Sequence, residues 1–243
     1  MTALPADVLL AVALVAVYLI DSMHFLSIGD ALVTTRGGRP AGVSFGAGFE
    51  LGGRRPFLAN PFTPFRPNFR VEWDTSGAPV STPAEVAQAF AQMLKSLQVL
   101  GPFMAVSAGL VVLIAPVALA LSYQIVFLAA VALAWIMMAV ACVIVVLRRK
   151  ALGLSGGQVA STVFVALICL PCGPNLMRAI AKRPLWRLNA RALPELGFEP
   201  AQVATVRARV RGALTSAQRF VDEGGKERAV IDEQLRALGE PSP

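Results

Sequence analysis

Charge is what this sequence has least of. Only 15 % of its 243 residues are Asp, Glu, Lys or Arg, 56 % are hydrophobic and the mean hydropathy is +0.63. Those proportions leave too little polar surface for a water-soluble domain. From Ser96 to Leu147 no charged residue occurs; a spanning helix needs only about 20 apolar residues, so this run has room for two. Histidine is nearly absent: with His24 alone, an intrachain bis-histidine haem and most single-chain zinc hydrolase sites are excluded. Three cysteines are too few for a relay between two thiol pairs. Before Phe25 the only charges are Asp7 and Asp21, so the N-terminus lacks the basic n-region of a cleaved secretory signal and is expected to stay attached.

What is there reads as a polytopic membrane chain. Spans are expected at residues 1–28, where VLLAVALVAVYLI is followed by DSMHFL, at 101–121 and at 124–147. The connection from Leu26 to Gln98 carries more basic than acidic residues, and Arg148-Arg149-Lys150 follows the third run directly. Lys and Arg are retained on the cytoplasmic side during insertion. The N-terminus and the turn near Ser122-Tyr123-Gln124 are therefore expected outside, and the C-terminus in the cytoplasm, in a membrane of the bacterial inner type. Arg148 to Arg191 holds basic residues and no acid, a zone able to bind anionic lipid headgroups at about 1 kcal/mol per charge. No nucleic-acid-binding motif accompanies that charge, and nucleic acid is not an expected partner.

The segment 29–81 is expected to be a cytoplasmic insert with two short strands. In GVSFGAGFEL, Val43, Phe45, Ala47, Phe49 and Leu51 alternate with smaller or polar residues, and Phe69, Val71 and Trp73 do so in NFRVEW. Between them RRPFLANPFTPFRP repeats Pro-Phe among arginines, which forbids regular pairing. Thr82-Pro83-Ala84-Glu85 then has the residues of a capping box and opens an amphipathic helix over 82–100, with Val86, Phe90, Met93, Leu97 and Leu100 on one stripe. Gly101-Pro102 is expected to bend the chain into the bilayer and Pro116 to kink the second span. Val159 to Leu170 is apolar but short for a full crossing, CLPCGPN breaks the helix and both flanks are basic. Residues 151–176 are therefore expected to be a re-entrant or interfacial segment, with a fourth full crossing that would put the tail outside as the alternative. The tail 177–243 is basic; Val203, Val206, Val210, Leu214, Ala217 and Val221 form a helical face ended by Gly224-Gly225, and KERAVIDEQLRAL forms a second helix.

Four features could carry chemistry or contacts. Residues 154–158 read LSGGQ, which resembles the signature loop of ATP-binding-cassette ATPases. That loop acts on ATP held by a G-x-x-x-x-G-K-[ST] loop and an acidic strand end. Neither is present, and ATP is not an expected ligand; Ser155, Gly156 and Gly157 are expected to make a turn instead. Cys169-Leu-Pro-Cys172 is a candidate redox pair, with a metal or cluster shared with a partner as one alternative and small apolar packing as the plainer one. Asp21 and His24, three apart and so on one face of a helix, are a candidate proton relay unless both simply lie at headgroup level. Arg54, Arg55, Phe57, Phe62, Phe65 and Arg66 supply the aromatic and arginine content of a partner or lipid contact, or else fill a small core of the chain's own. No catalytic residue, metal ligand set or cofactor is expected.

The predicted fold class is mainly α: three transmembrane helices, a re-entrant segment and a small cytoplasmic insert. In topology this layout resembles the Tol/Ton-type ion-driven stator subunits, but the spans VSAGLVVLIAPVALALS and VFLAAVALAWIMMAVACVIVV have no acid to carry a proton, and no family is assigned. The sequence points to a non-catalytic membrane subunit or scaffold that meets other subunits or its own copies. A thiol-dependent redox component is the alternative, and proton or ion translocation a weaker one.

Overall fold

The computed structural model describes residues 5–27, 29–36, 39–73, 81–183, 186–219, 221 and 225–239. The chain is mainly helical with a small mixed sheet. It divides into a first unit of residues 1–24, 58–67 and 93–181, and a second of 25–57, 68–92 and 182–243.

The first unit is helical. Helix α1 (Ala6–Asp21) ends at the Ser22 cap, so the helix expected over residues 1–28 is corrected to one of 16 residues followed by a strand at Met23–Leu26. Among the described residues it is not one of the helices long enough to cross a membrane. A continuous 38-residue helix, Pro83–Ala120, begins in the second unit and ends in the first. It comprises α2 (Pro83–Leu97), a 3-10 turn Gln98–Leu100, α3 (Gly101–Ala108), a wide π-type turn Gly109–Ile114 and α4 (Ala115–Ala120). The helix continues through Gly101-Pro102, and the 3-10 turn just before it accommodates the missing proline N–H. Pro116 likewise follows the π-type turn, the ordinary accommodation for a lost i to i−4 bond. Thr82 caps α2 as its sequence implies: Glu85 N donates to Thr82 Oγ1 at 3.3 Å and Thr82 N to Glu85 Oε2 at 2.9 Å. All five residues of the anticipated stripe, Val86 to Leu100, are buried.

Helix α5 (Gln124–Leu147) has the bounds expected for the third span. Its 24 residues reach about 36 Å, more than the roughly 30 Å of a hydrocarbon core. It and the Pro83–Ala120 helix are the two helices among the described residues that are long and apolar enough to cross a membrane. Ala130, Ala134, Met138, Ala141, Cys142 and Val145 form the buried face of α5. Small side chains at this seam let Leu110, Val111 and Ala115 approach closely, while Ile125, Leu128, Ile136 and Leu147 stay exposed on the opposite side. Helix α1 packs on α4 and on the π-type turn. Helix α6 (Gly156–Ile168), a 3-10 turn Leu170–Asn175 and α7 (Leu176–Ala181) complete the unit.

The second unit is built on a four-stranded sheet. Strands β1 (Met23–Leu26), β2 (Asp30–Arg36), β3 (Arg39–Ser44), β4 (Arg55–Leu58), β5 (Asn68–Trp73) and β6 (Trp186–Leu188) follow in chain order. The sheet order is β3-β2-β5-β6, antiparallel except for the β5/β6 pair, and β1 and β4 form a separate two-stranded sheet. The two anticipated strands are thus not partners of each other: β2, whose DALVTTR reads poorly as a period-two segment, lies between them. Residues 45–51 form no ladder beyond a Leu51–Arg54 bridge. Asp30 opens β2 by accepting from Arg70 at 3.0 and 2.7 Å and from Ser27 N at 2.8 Å. Phe69 and Phe90 stack at 4.5 Å, with Trp186 edge-on to both.

Helix α8 (Pro200–Gln218) buries Val206, Val210, Leu214 and Ala217, and α9 (Lys226–Gly239), which buries Ile231 and Leu238, packs on it. Val203 and Val221 are only half-buried. The first tail helix stops at Gln218, before Gly225; Gly224, Leu4 and Ile28 lie outside the described residues.

Candidate functional site

The polar and thiol groups of the first unit converge where α6 ends. LSGGQ starts that helix: Gln158 N donates to Ser155 Oγ at 3.3 Å and Ser155 N to Gln158 Oε1 at 2.9 Å, a reciprocal capping box. The expected Ser-Gly-Gly turn is corrected to a helix N-terminus, because Ser at the cap with Gln three residues on satisfies two orphan amides at once. From there α6 runs about 20 Å back along α5. The Trp135 indole donates to the Leu167 carbonyl at 3.2 Å. A Cβ on Gly173 would lie 2.6 Å from Met138 Cε. The CLPCGPN turn therefore sits level with Trp135 and Met138, the middle of α5. Cys169 and Cys172 are joined there as a disulfide, Cα atoms 5.3 Å apart, and both are half-buried. Phe164, Val165 and Ile168 are exposed beside it.

Beyond the turn a hydrogen-bond network is built around Arg178, whose side chain is only 1 % exposed. Its Nη1 donates to Asn175 Oδ1 at 3.0 Å, and its Nη2 to the carbonyls of Asn60 at 2.6 Å and Thr63 at 2.8 Å. Asn175 Nδ2 in turn donates to Asp21 Oδ2 at 2.9 Å and to Ser22 Oγ at 3.0 Å. Ser22 Oγ donates to the Tyr18 carbonyl at 2.9 Å, and the Tyr18 hydroxyl donates to the Pro61 carbonyl. Asn175 is thus an amide bridge between a guanidinium and a carboxylate, with the Ser22 hydroxyl as its third partner. Burial pulls the Arg178 pKa below its ordinary value, opposed by the nearby Tyr18 and Asp21 oxygens. An arginine remains charged at neutral pH nonetheless, so the network holds a buried charge whose Nη2 fixes two backbone carbonyls and whose Nη1 is held by Asn175.

The backbone they fix is the Pro-Phe loop. Asn60 Oδ1 accepts from Phe62 N at 2.9 Å, Thr63 N donates to the Asn60 carbonyl at 3.1 Å, and Arg66 N to the Thr63 carbonyl at 3.0 Å. These turns leave Phe62 76 % and Phe65 37 % exposed, with the exposed Arg66 guanidinium 6.0 Å from the Phe65 ring centroid.

The remaining candidates are placed less compactly. His24 is not one helical turn from Asp21: α1 ends at Asp21, and His24 is a buried residue of β1, so the helical spacing does not apply. The Asp21 carboxylate accepts from Asn175 Nδ2 at 2.9 Å. In the second unit Arg54 is exposed, Arg55 pairs with Glu50 at 3.2 Å and Phe57 is half-buried. Arg148, Arg149 and Lys150 are exposed, whereas Arg178 is withdrawn from the basic surface zone to which its position in sequence assigns it. Among the described residues no group of three or more His, Cys, Asp and Glu lies together to hold a metal ion.

Sequence reasoning passed over Arg178, Asn175 and Tyr18. The one available signal was Asn175 directly after a proline-broken apolar run, a polar side chain with no regular structure to occupy it. Comparison with protein-family models, curated proteins and solved structures finds no match.

Proposed function

We propose that this chain is a non-catalytic integral subunit or scaffold of a larger complex in a bacterial-type cytoplasmic membrane. In this reading α1, residues 101–120 and α5 cross the bilayer, the N-terminus and residues 121–123 face outside, and the second unit is cytoplasmic, on the side of Arg148-Arg149-Lys150. Helix α6 and the CLPCGPN turn are re-entrant. The observation that carries the subunit reading is the depth of that turn, level with Met138, together with its half-exposed cysteines and the exposed Phe164 and Ile168. Irregular backbone at the centre of a bilayer is tolerated only where protein or a water-filled cavity covers it, so another polypeptide is expected to seat against α6. Mass spectrometry of what co-purifies in mild detergent should find a stoichiometric partner that Ile168→Asp releases. Recovery of the chain alone, or only with its own copies, would overturn the reading.

The Cys169–Cys172 disulfide favours a second reading, a thiol-dependent membrane redox component. It predicts that alkylation of both thiols tracks the applied potential. Replacement of both by Ser with full retention of cellular function would dispose of it.

A further inference from the structure

We infer that the loop Asn60–Arg66 is an interfacial anchor, seating Phe62 and Phe65 among the headgroups of an anionic leaflet while Arg66 and the Arg148–Lys150 run meet its phosphates. The inference rests on the membrane reading above and commits the loop to lipid. Depth is the first argument. A Cβ on Gly101 would lie 3.9 Å from Phe65 Cβ, so Phe65 stands beside the first residue of α3, near the start of the uncharged run that opens at Ser96. Residues 101–120 and α5 form a hairpin closed by a three-residue turn, which puts the C-terminal end of α5 and the exposed Arg148, Arg149 and Lys150 at the same end as Gly101. An aromatic pair at the end of a spanning hairpin, level with four basic side chains, matches the composition of a headgroup zone.

Charge is the second argument. Neither residues 58–67 nor 148–191 contain an acid, so neither segment itself offers a carboxylate to repel a phosphate. Preorganisation is the third. Arg178 and Tyr18 hold the loop from beneath through the carbonyls of Asn60, Pro61 and Thr63, and little is left to order when the two rings enter the interface.

The test is photo-crosslinking of the full chain with benzoylphenylalanine at Phe62, and separately at Ile136 on the exposed face of α5 as a depth reference. It is done in native membranes and in vesicles of equal phosphatidylglycerol and phosphatidylcholine. The expected result is phospholipid adducts at both positions, with phosphatidylglycerol favoured about fivefold at Phe62 and not at Ile136. Lipid adducts at Ile136 with none at Phe62, headgroup indifference at Phe62, or a polypeptide adduct at Phe62 would each overturn the anchor while leaving the membrane reading intact. An absence of lipid adducts at both positions would remove the membrane reading and the anchor with it.

Discussion

Arg178 Nη2 donates to the Thr63 carbonyl across 115 residues of sequence, and the two are held 2.8 Å apart with the arginine buried. Arg178→Ala leaves the carbonyls of Asn60 and Thr63 and the Asn175 amide oxygen without their charged donor. Removing one member of a buried charged network costs about 3 kcal/mol or more, so unfolding in mixed micelles should show a loss of that order. Arg178→Lys should fall between, because an ammonium cannot reproduce the forked geometry. A loss within about 0.5 kcal/mol for Arg178→Ala, the ordinary range of a surface substitution, would mean that the network does not fix the loop.

Gly173 and Met138 should be energetically coupled. The Cβ of Gly173→Ala meets the flexible end of Met138, a clash worth about 1 kcal/mol after the methionine adjusts. In a Met138→Ala background the same change should cost nothing measurable. Additive losses in the double-mutant cycle would contradict the packing of the CLPCGPN turn on α5.

Thiol counting tests the cysteine assignment. Cys142 is free and buried, and Cys169 and Cys172 are paired. Maleimide should label one thiol per chain in denaturant without reductant and three after reduction. Three before reduction would show that the pair is not joined.

The start of α2 should respond to acid. The hydrogen bond from the Thr82 backbone, with the Thr82 side chain second, holds the Glu85 carboxyl below the usual carboxylate range. A depressed folded pKa means that the contribution is complete above the ordinary value and is lost as pH falls through the lower, folded one. Amide exchange at the first turn of α2 should therefore accelerate below that point beyond its intrinsic pH trend, and Glu85→Gln should abolish the excess.

Local patterns were the most legible part of the sequence. Helix α5 begins and ends where its uncharged run does, and the Val86–Leu100 stripe and the Thr82 cap follow from spacings of three and four residues. What escaped was set by distant partners. DALVTTR becomes the central β2 because Asp30 finds Arg70, forty residues away, and because β3 and β5 offer it two edges. His24 leaves the helix because Ser22 caps α1, where composition alone would continue it. Arg178 looks like one more juxtamembrane cation until Asn60 and Thr63 surround it. The LSGGQ cap was readable as S-x-x-Q, but its likeness to a nucleotide-binding signature drew attention to the glycines.

The stitch between the Pro-Phe loop and Arg178 also sets an order of events during biosynthesis. The loop leaves the ribosome more than a hundred residues before the arginine that secures it, an interval on the order of 10 s at ordinary elongation rates. Throughout that time the carbonyls of Asn60 and Thr63 have no guanidinium to accept from. The short helix after the CLPCGPN turn is thus what locks the Pro-Phe loop, and a ribosome stalled before codon 178 would leave that loop open to proteases and chaperones.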